Sequence, residues 1–138
     1  KAKQVNGMVL GTSNRSEFMT GYFTKFGDGA ADIEPIINLY KTHVRKVAKE
    51  LNVPREIIDR KPTAGLYEGQ TDEGEMGITY DNLDKILVGF ELHLEHNAIS
   101  EITNTPEKEI ERISEMVERN EHKRYPPKSP QRVVVMGH

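Results

Sequence analysis

The segment VLGTSNRSEF, at residues 9–18, joins an apolar run to small hydroxyl side chains and a carboxylate. Residues 7–11, GMVLG, are short, apolar and bounded by glycines, which is the pattern of a buried strand. A buried strand must pair its backbone N–H and C=O groups with neighbouring strands. The rest of the chain offers no second clear strand, so we expect those neighbours to lie in a preceding part of the protein.

The residues after this strand allow two interpretations. Asn14, Ser16 and Glu17 are suited to cap and open a short helix, because the helix dipole stabilises a carboxylate in the first turn. That helix would run through residues 17–24. Alternatively, open α/β sheets bind ligands at the carboxyl ends of their strands. In that case Thr12 could contact a nucleotide or phosphate, and Glu17 could bind Mg2+, which prefers oxygen ligands.

Amphipathic helices account for most of the remaining chain. Apolar residues recur at helical spacing over residues 37–51 and again over residues 83–94. A shorter helix begins at Pro54, and another follows Pro106. Residues 61–77 contain four glycines and no sustained period, which indicates a long irregular loop. The sequence therefore predicts a mostly helical chain with one clear strand.

Several polar positions have both an ordinary and a functional interpretation. The glycine-rich segment at residues 25–35 is either a solvated turn or a substrate loop, in which Lys25 and Asp32 supply opposite charges. Its glycine spacing matches neither a dinucleotide fingerprint nor a Walker loop. Lys41, near the start of a helix, and Thr63, in the long loop, are unremarkable by themselves.

The second half of the chain offers weaker signals. His93 and His96 have a spacing that can ligate a metal on a helix, but no third ligand is indicated, so we predict no metal site there. Residues 122–124, HKR, are typical of a basic helix end. The apolar run RVVVM at residues 132–136 could add an edge strand, contact a partner chain or be disordered.

Composition limits the class of protein. A chain of 138 residues with 36% hydrophobic and 30% charged residues is suited to one globular domain. The net charge of -3 gives no argument for nucleic acid or an anionic membrane as a partner. The absence of cysteine excludes disulfides and thiol chemistry, and no apolar run approaches the roughly 20 residues of a membrane span. We expect a cytoplasmic protein.

Three segments together resemble a known family: residues 10–59, beginning LGTSNRSEF and including FTKFGDGAAD; residues 61–87, beginning KPTAGLYEGQTDEGE; and residues 121–127, EHKRYPP. In this order and spacing they resemble the carboxyl-terminal half of the ammonia-dependent NAD synthetases, members of the ATP-pyrophosphatase superfamily. The resemblance implies an α/β fold with a doubly wound parallel sheet, of the adenine-nucleotide alpha-hydrolase type, in the intact protein. It also implies a homodimer.

The same resemblance implies a reaction and a set of site residues. The family amidates deamido-NAD with ammonia through an acyl adenylate, using ATP and Mg2+ and releasing AMP and pyrophosphate. Such chemistry needs positioning and charge neutralisation, so no catalytic nucleophile is expected. By similarity, the residues are as follows: Thr12, Lys41 and Thr63 contact ATP; Glu17 binds Mg2+; and Lys25, Asp32, His122 and Lys123 contact deamido-NAD.

One family motif is missing from the 138 residues. The phosphate loop of the form SGGxDS does not occur, and it would precede Lys1. We therefore expect residues 1–138 to be the carboxyl-terminal part of a single synthetase domain, inactive without its phosphate-loop half. Two alternatives stay open: another ATP-pyrophosphatase, such as a guanylate or asparagine synthetase, and a non-catalytic nucleotide-binding or oligomerisation fragment.

Overall fold

In a computed structural model, which describes residues 1–130, the chain is mostly helical, as predicted. Short 3-10 helices lie at Ala2–Val5 and Glu121–Lys123. The described part contains seven α-helices: α1 (Arg15–Thr20), α2 (Lys41–Glu50), α3 (Arg55–Ile58), α4 (Asp72–Met76), α5 (Tyr80–Glu91), α6 (His96–Thr103) and α7 (Glu107–Arg119).

Helix α5 is the centre of the hydrophobic core. It contacts α1, α2 and α6, while α7 packs on α1 and α6. Gly89 lets α6 approach α5 closely, because a Cβ there would lie 2.7 Å from Ile99 Cγ1. Burial of each large aliphatic side chain contributes about 1.5–3 kcal/mol. The buried apolar side chains are Met19, Tyr40, Met76, Tyr80, Leu83, Ile86, Leu87, Ile99, Ile110 and Ile113.

The prediction of a buried strand at residues 7–11 is wrong for the described chain. Leu10 makes one parallel bridge to Ile33, and the Gly11 N–H donates to the Ile33 carbonyl at 2.8 Å. Leu10 is nevertheless 64% exposed. A strand needs backbone partners on its flanks, and within residues 1–130 the backbone of residues 9–11 pairs only with residues 32–33.

Two helix boundaries also differ from the prediction. Helix α1 ends at Thr20 rather than continuing to residue 24, because Gly21 adopts a left-handed conformation with φ of 69° and closes the helix. Helix α2 begins only at Lys41, so the early part of the predicted helix at residues 37–51 is irregular. Tyr40 precedes the helix and is buried.

The predicted long loop at residues 61–77 contains a helix, α4. Thr71 caps it by accepting a hydrogen bond from the Gly74 N–H, and Gly77 closes it with a left-handed conformation. Three of the five residues of α4 are acidic, so the segment has no apolar period that would predict a helix. Acidic residues in a first turn nevertheless stabilise a helix N-terminus.

The predicted helix at residues 83–94 is in fact interrupted. Helix α5 ends at Glu91, and His93 has a φ of 54°, so His93 and His96 do not lie on one helix face. Helix α6, which follows, was not predicted. Helix α7 begins after Pro106 as predicted, with Ile110 and Ile113 in the core.

No helix within residues 1–130 combines the length and the apolar character needed to cross a membrane. The longest, α7, has 13 residues, whereas a span needs about 20. The interpretations of residues 132–136 lie outside the described residues.

Candidate functional site

A groove of about 710 Å³ runs between the start of α1, one face of α2, the end of α3 and the loop at residues 60–64. Its lining includes Thr12, Glu17, Lys41 and Thr63, which lie far apart in the sequence. These are the three ATP contacts and the Mg2+ ligand that the resemblance implies. We call this the first groove.

Glu17 takes the capping role that the sequence suggests and also lines the first groove, while its binding of Mg2+ stays a prediction. Its Oε2 accepts the Asn14 N–H at 3.1 Å, and Asn14 Oδ1 accepts the Glu17 N–H at 3.1 Å, which completes a capping box. Its Oε1 accepts a hydrogen bond from Lys41 Nζ at 2.9 Å, inside the first groove. One carboxylate therefore caps α1 and neutralises a lysine on α2.

Tyr80 forms an aromatic floor beneath this pair. Lys41 Nζ lies 5.2 Å and Arg45 Cζ 5.8 Å from the ring centroid, so two cations stand over one ring. The Tyr80 hydroxyl donates to Asp72 Oδ2 at 3.0 Å. Burial, followed by the negative charges of Glu17 and Asp72, raises the pKa of Tyr80 well above its usual value. Tyr80 therefore stays neutral and attracts the cations through its ring.

The loop that carries Thr63 is held beside the groove by hydrogen bonds. The Asp72 N–H donates to the Pro62 carbonyl at 3.0 Å, and Thr63 Oγ1 accepts the Gly65 N–H at 3.0 Å. Further along, the Glu75 carboxylate accepts bonds from Tyr22, Tyr67 and Gln70. These bonds lower the pKa of Glu75.

A second groove of about 310 Å³ adjoins the first, since Ser13 lines both. It contains two of the predicted deamido-NAD contacts, Lys25 and Lys123, together with the rings of Phe18, Phe23, Phe26 and Tyr125. Basic and aromatic side chains in one cleft suit an anionic ligand with planar rings.

The basic segment at residues 122–124 complements both its own helix end and another helix. Arg124 Nη1 donates to the Val117 carbonyl in the last turn of α7 at 3.0 Å, as a basic helix end is expected to do. Lys123 Nζ donates to the Gly21 carbonyl at 2.6 Å and the Phe23 carbonyl at 3.1 Å, and Arg124 Nη1 donates to the Met19 carbonyl at 2.7 Å. These carbonyls belong to the end of α1 and the turn that follows it. The segment thus satisfies acceptors that a helix terminus leaves without intrahelical partners.

Asp32 and His122 line neither groove. Asp32 Oδ2 accepts the Val9 N–H at 2.7 Å, so this carboxylate holds the apolar segment in place. The His122 carbonyl accepts a hydrogen bond from Lys25 Nζ, so the backbone rather than the imidazole makes that contact. The roles of Asp32 and His122 toward deamido-NAD stay predictions.

Sequence reasoning missed Tyr80, Arg45, Asp72 and Asp84 as groove or supporting residues. The sequence does indicate a special role for Asp84, because this charged residue lies within the apolar face of α5, between Leu83 and the buried residues of the next turn. A buried charge needs a specific partner. Tyr80 and Arg45 had no such signal, since only the packing of α5 against α2 brings them together.

Comparison with known proteins gives the family. A model of the family described as NAD synthase matches residues 1–127. The chain is 54% identical over 131 residues to the NH3-dependent NAD+ synthetase of Thermococcus kodakarensis, covering 94% of this chain and 52% of that protein. For the corresponding protein of Methanocaldococcus jannaschii the identity is 48%, over 94% and 50% of the two chains.

Solved structures agree with this match. The NMN synthetase of Francisella tularensis superposes with a TM-score of 0.78 at 44% identity, over 94% of this chain and 49% of that one. The NH3-dependent NAD synthetase of Campylobacter jejuni gives a TM-score of 0.69 at 25% identity, over 94% and 48%. The chain spans about half the length of the curated relatives that it matches. Over that half, the chain belongs to the NAD synthase family.

Proposed function

We propose that the protein containing this chain is an NAD synthetase. It would amidate deamido-NAD with ammonia, using ATP to form an acyl adenylate and releasing AMP and pyrophosphate. The membership of the chain in the NAD synthase family supports this proposal. So does one structural observation, that Thr12, Glu17, Lys41 and Thr63 meet in a single groove.

The first groove is suited to hold ATP through charge and position. Lys41 and Arg45 face the cavity over a neutral ring, and Arg60 and Lys61 add further positive charge to its wall. Such cations stabilise the charge that develops on the phosphates when a carboxylate attacks the α-phosphorus. Thr12 and Thr63 would donate hydroxyl hydrogen bonds. No protein nucleophile is needed, because the substrate supplies the attacking carboxylate.

The donor chemistry of the first groove fits Mg2+. Glu17 supplies a carboxylate, and Asp72 Oδ1 is a buried carboxylate oxygen with no hydrogen-bond partner among the described residues. Within residues 1–130 no group of three His, Cys, Asp or Glu side chains is assembled. Mg2+ commonly takes one or two carboxylates and completes its shell with phosphates and water. When bound, it would neutralise phosphate charge, with Glu17 as a ligand released from Lys41.

The second groove is suited to hold deamido-NAD next to ATP. Lys25 and Lys123 provide positive charge for its pyrophosphate, and the phenylalanine rings provide stacking surfaces for its bases. Asp32 and His122, which the resemblance also implies, lie outside this groove and would contribute through a neighbouring surface. Ser13 lines both grooves, so the two ligands would lie side by side.

The intact protein would have the doubly wound parallel sheet of its superfamily and form a homodimer. The parallel bridge between Leu10 and Ile33, with its exposed apolar side chains, would extend into that sheet. Exposed Phe26 and Leu66 offer further apolar surface for a partner subunit or the other half of the domain.

A second candidate is NMN synthesis, which the Francisella tularensis relative favours. That protein is named for nicotinamide mononucleotide as product and superposes well on this chain. The corresponding substrate would be nicotinate mononucleotide, which has the same reacting carboxylate without the adenylate half. Both candidates need the first groove, whereas only the dinucleotide needs room for a second base.

The deciding experiment is an assay of the full-length gene product with ATP, Mg2+ and ammonium. Deamido-NAD and nicotinate mononucleotide are supplied separately, and the products are separated by chromatography. We expect NAD, AMP and pyrophosphate in equal amounts from the dinucleotide. Faster turnover of the mononucleotide would favour the second candidate. ATP binding without any amide product would instead indicate a non-catalytic nucleotide-binding module.

A further inference from the structure

Helix α2 begins without a cap from its own sequence. Its N-cap residue, Tyr40, makes no side-chain cap hydrogen bond. The first N–H groups of a helix have no intrahelical partners and need acceptors from elsewhere. In α2 these acceptors come from two other helices, which is the observation on which the inference rests.

Ser16 of α1 and Asp84 of α5 supply those acceptors. Ser16 Oγ accepts the Lys41 N–H at 2.9 Å and donates its own hydrogen to Asp84 Oδ1 at 2.5 Å. Asp84 Oδ2 accepts the Thr42 N–H at 2.8 Å. Ser16 is fully buried and Asp84 is 4% exposed, so water does not compete for these bonds.

This network joins the two backbones that carry the Glu17–Lys41 pair. Ser16 directly precedes Glu17, and the N–H that it accepts is that of Lys41 itself. Asp84 lies one helical turn from Tyr80, the ring beneath Lys41 Nζ. The same α5 face therefore fixes both the backbone of Lys41 and the surface on which its side chain rests.

We propose that Ser16 and Asp84 are positioning residues for ATP, which act by holding Lys41 in register with Glu17 and Tyr80. This inference rests on the proposed function, in which Lys41 contacts ATP. Neither residue lines the first groove. Removal of the Ser16 hydroxyl frees the start of α2 to shift, and a shift of about 1 Å in a positioning group can cost up to 100-fold in function.

The test is a double-variant cycle in the full-length protein, read as the ATP dissociation constant by calorimetry. Ser16→Ala should weaken ATP binding about tenfold or more, while deamido-NAD binding changes less than twofold. In the Lys41→Ala background, adding Ser16→Ala should produce no further loss beyond about twofold, because the group being positioned is already absent.

Two further variants separate positioning from general stability. Thr103→Ala removes a comparable buried helix hydroxyl, which donates to the Ile99 carbonyl at 2.7 Å far from the groove, and should leave ATP affinity unchanged. Asp84→Asn keeps one acceptor for the Thr42 N–H, so its loss of affinity should be smaller than that of Asp84→Ala. If Ser16→Ala does not fold, Asp84→Asn and Asp84→Ala replace it in the double-variant cycle. The ATP dissociation constant of each is then measured with and without Lys41→Ala.

Each outcome has a definite meaning. Losses that add fully in the double variant, or an ATP affinity as unaffected as in Thr103→Ala, would overturn the positioning role alone. A wild-type protein that binds no ATP would overturn both the proposed function and this inference. A wild-type protein that binds ATP but forms no NAD, with the predicted non-additivity, would overturn only the reaction.

Discussion

The two grooves use lysine in opposite ways. In the first groove, Lys41 pairs with a carboxylate and rests on an aromatic ring. In the second, Lys123 donates to two backbone carbonyls at the end of α1. Both lysines line a cavity, and the resemblance to the family predicts a ligand contact for each.

The partner decides what each lysine is able to do. A carboxylate partner can be exchanged for a phosphate, because one anion replaces another and Glu17 keeps its capping bond to Asn14. Backbone carbonyls at a helix end cannot move away without opening the turn. Lys41 is therefore available to a ligand, whereas Lys123 first maintains the fold of its groove.

The largest expected effect is that of Lys41→Ala on ATP binding. Loss of a charged hydrogen bond to phosphate costs about 1.5–3 kcal/mol, which corresponds to a roughly 10- to 150-fold larger dissociation constant for ATP. The free energy of unfolding should change by less than about 1 kcal/mol, since a partly exposed ion pair contributes little. Calorimetric titration and urea unfolding of the full-length protein measure the two quantities. If Lys41→Ala loses stability but binds ATP normally, Lys41 maintains the fold and does not serve the ligand.

Lys123→Ala should show the opposite pattern. Two hydrogen bonds from an ammonium to carbonyls are lost, so we expect the free energy of unfolding to fall by about 1.5–3 kcal/mol. ATP affinity should fall less than in Lys41→Ala. Urea unfolding monitors stability, and Lys46→Ala, at an exposed position of α2, is the matched control. Equal stability of the Lys123 and Lys46 variants would show that the carbonyl contacts are unimportant.

The helical part of the fold could be predicted from sequence because helices satisfy their own backbone bonds. Leu83, Ile86 and Leu87 fall on one face of α5, and the structure buries all three. Residues 7–11 have as clear an apolar pattern, yet Leu10 is exposed, because a strand depends on neighbours that its own sequence cannot specify. The acidic helix α4 has no apolar period to predict it, because Met76 is its one apolar residue and the Thr71 cap marks its start.

The candidate site was predictable only in part. Resemblance to the family named Thr12, Glu17, Lys41 and Thr63, and the structure brings them into one groove. The residues that support them depend on which helices pack together. Asp84 is far from Lys41 in the sequence, and no local pattern links it to the start of α2.

Lys25→Ala tests whether the second groove recognises a ligand at all. We expect the Michaelis constant for deamido-NAD to rise about fivefold, because a partly exposed charge contact contributes roughly 1 kcal/mol to binding. The Michaelis constant for ATP should stay nearly constant. Initial rates with each substrate varied in turn provide both constants. Equal increases for the two substrates would argue against a deamido-NAD site at Lys25.

The smallest expected effect, a few-fold, is that of Glu17→Gln on the Mg2+ requirement. Glutamine at the third position of a helix can still complete a capping box, so α1 should remain intact. The variant also loses the negative charge that pairs with Lys41 and that would ligate the ion. The Mg2+ concentration for half-maximal activity should therefore rise, at saturating ATP. Asn14→Ala is the complementary control, because it removes the cap and keeps the charge, and it should lower stability with little change in the Mg2+ titration. A Mg2+ titration of Glu17→Gln that matches the wild type would remove Glu17 from the metal site and leave it only the cap and the Lys41 pair.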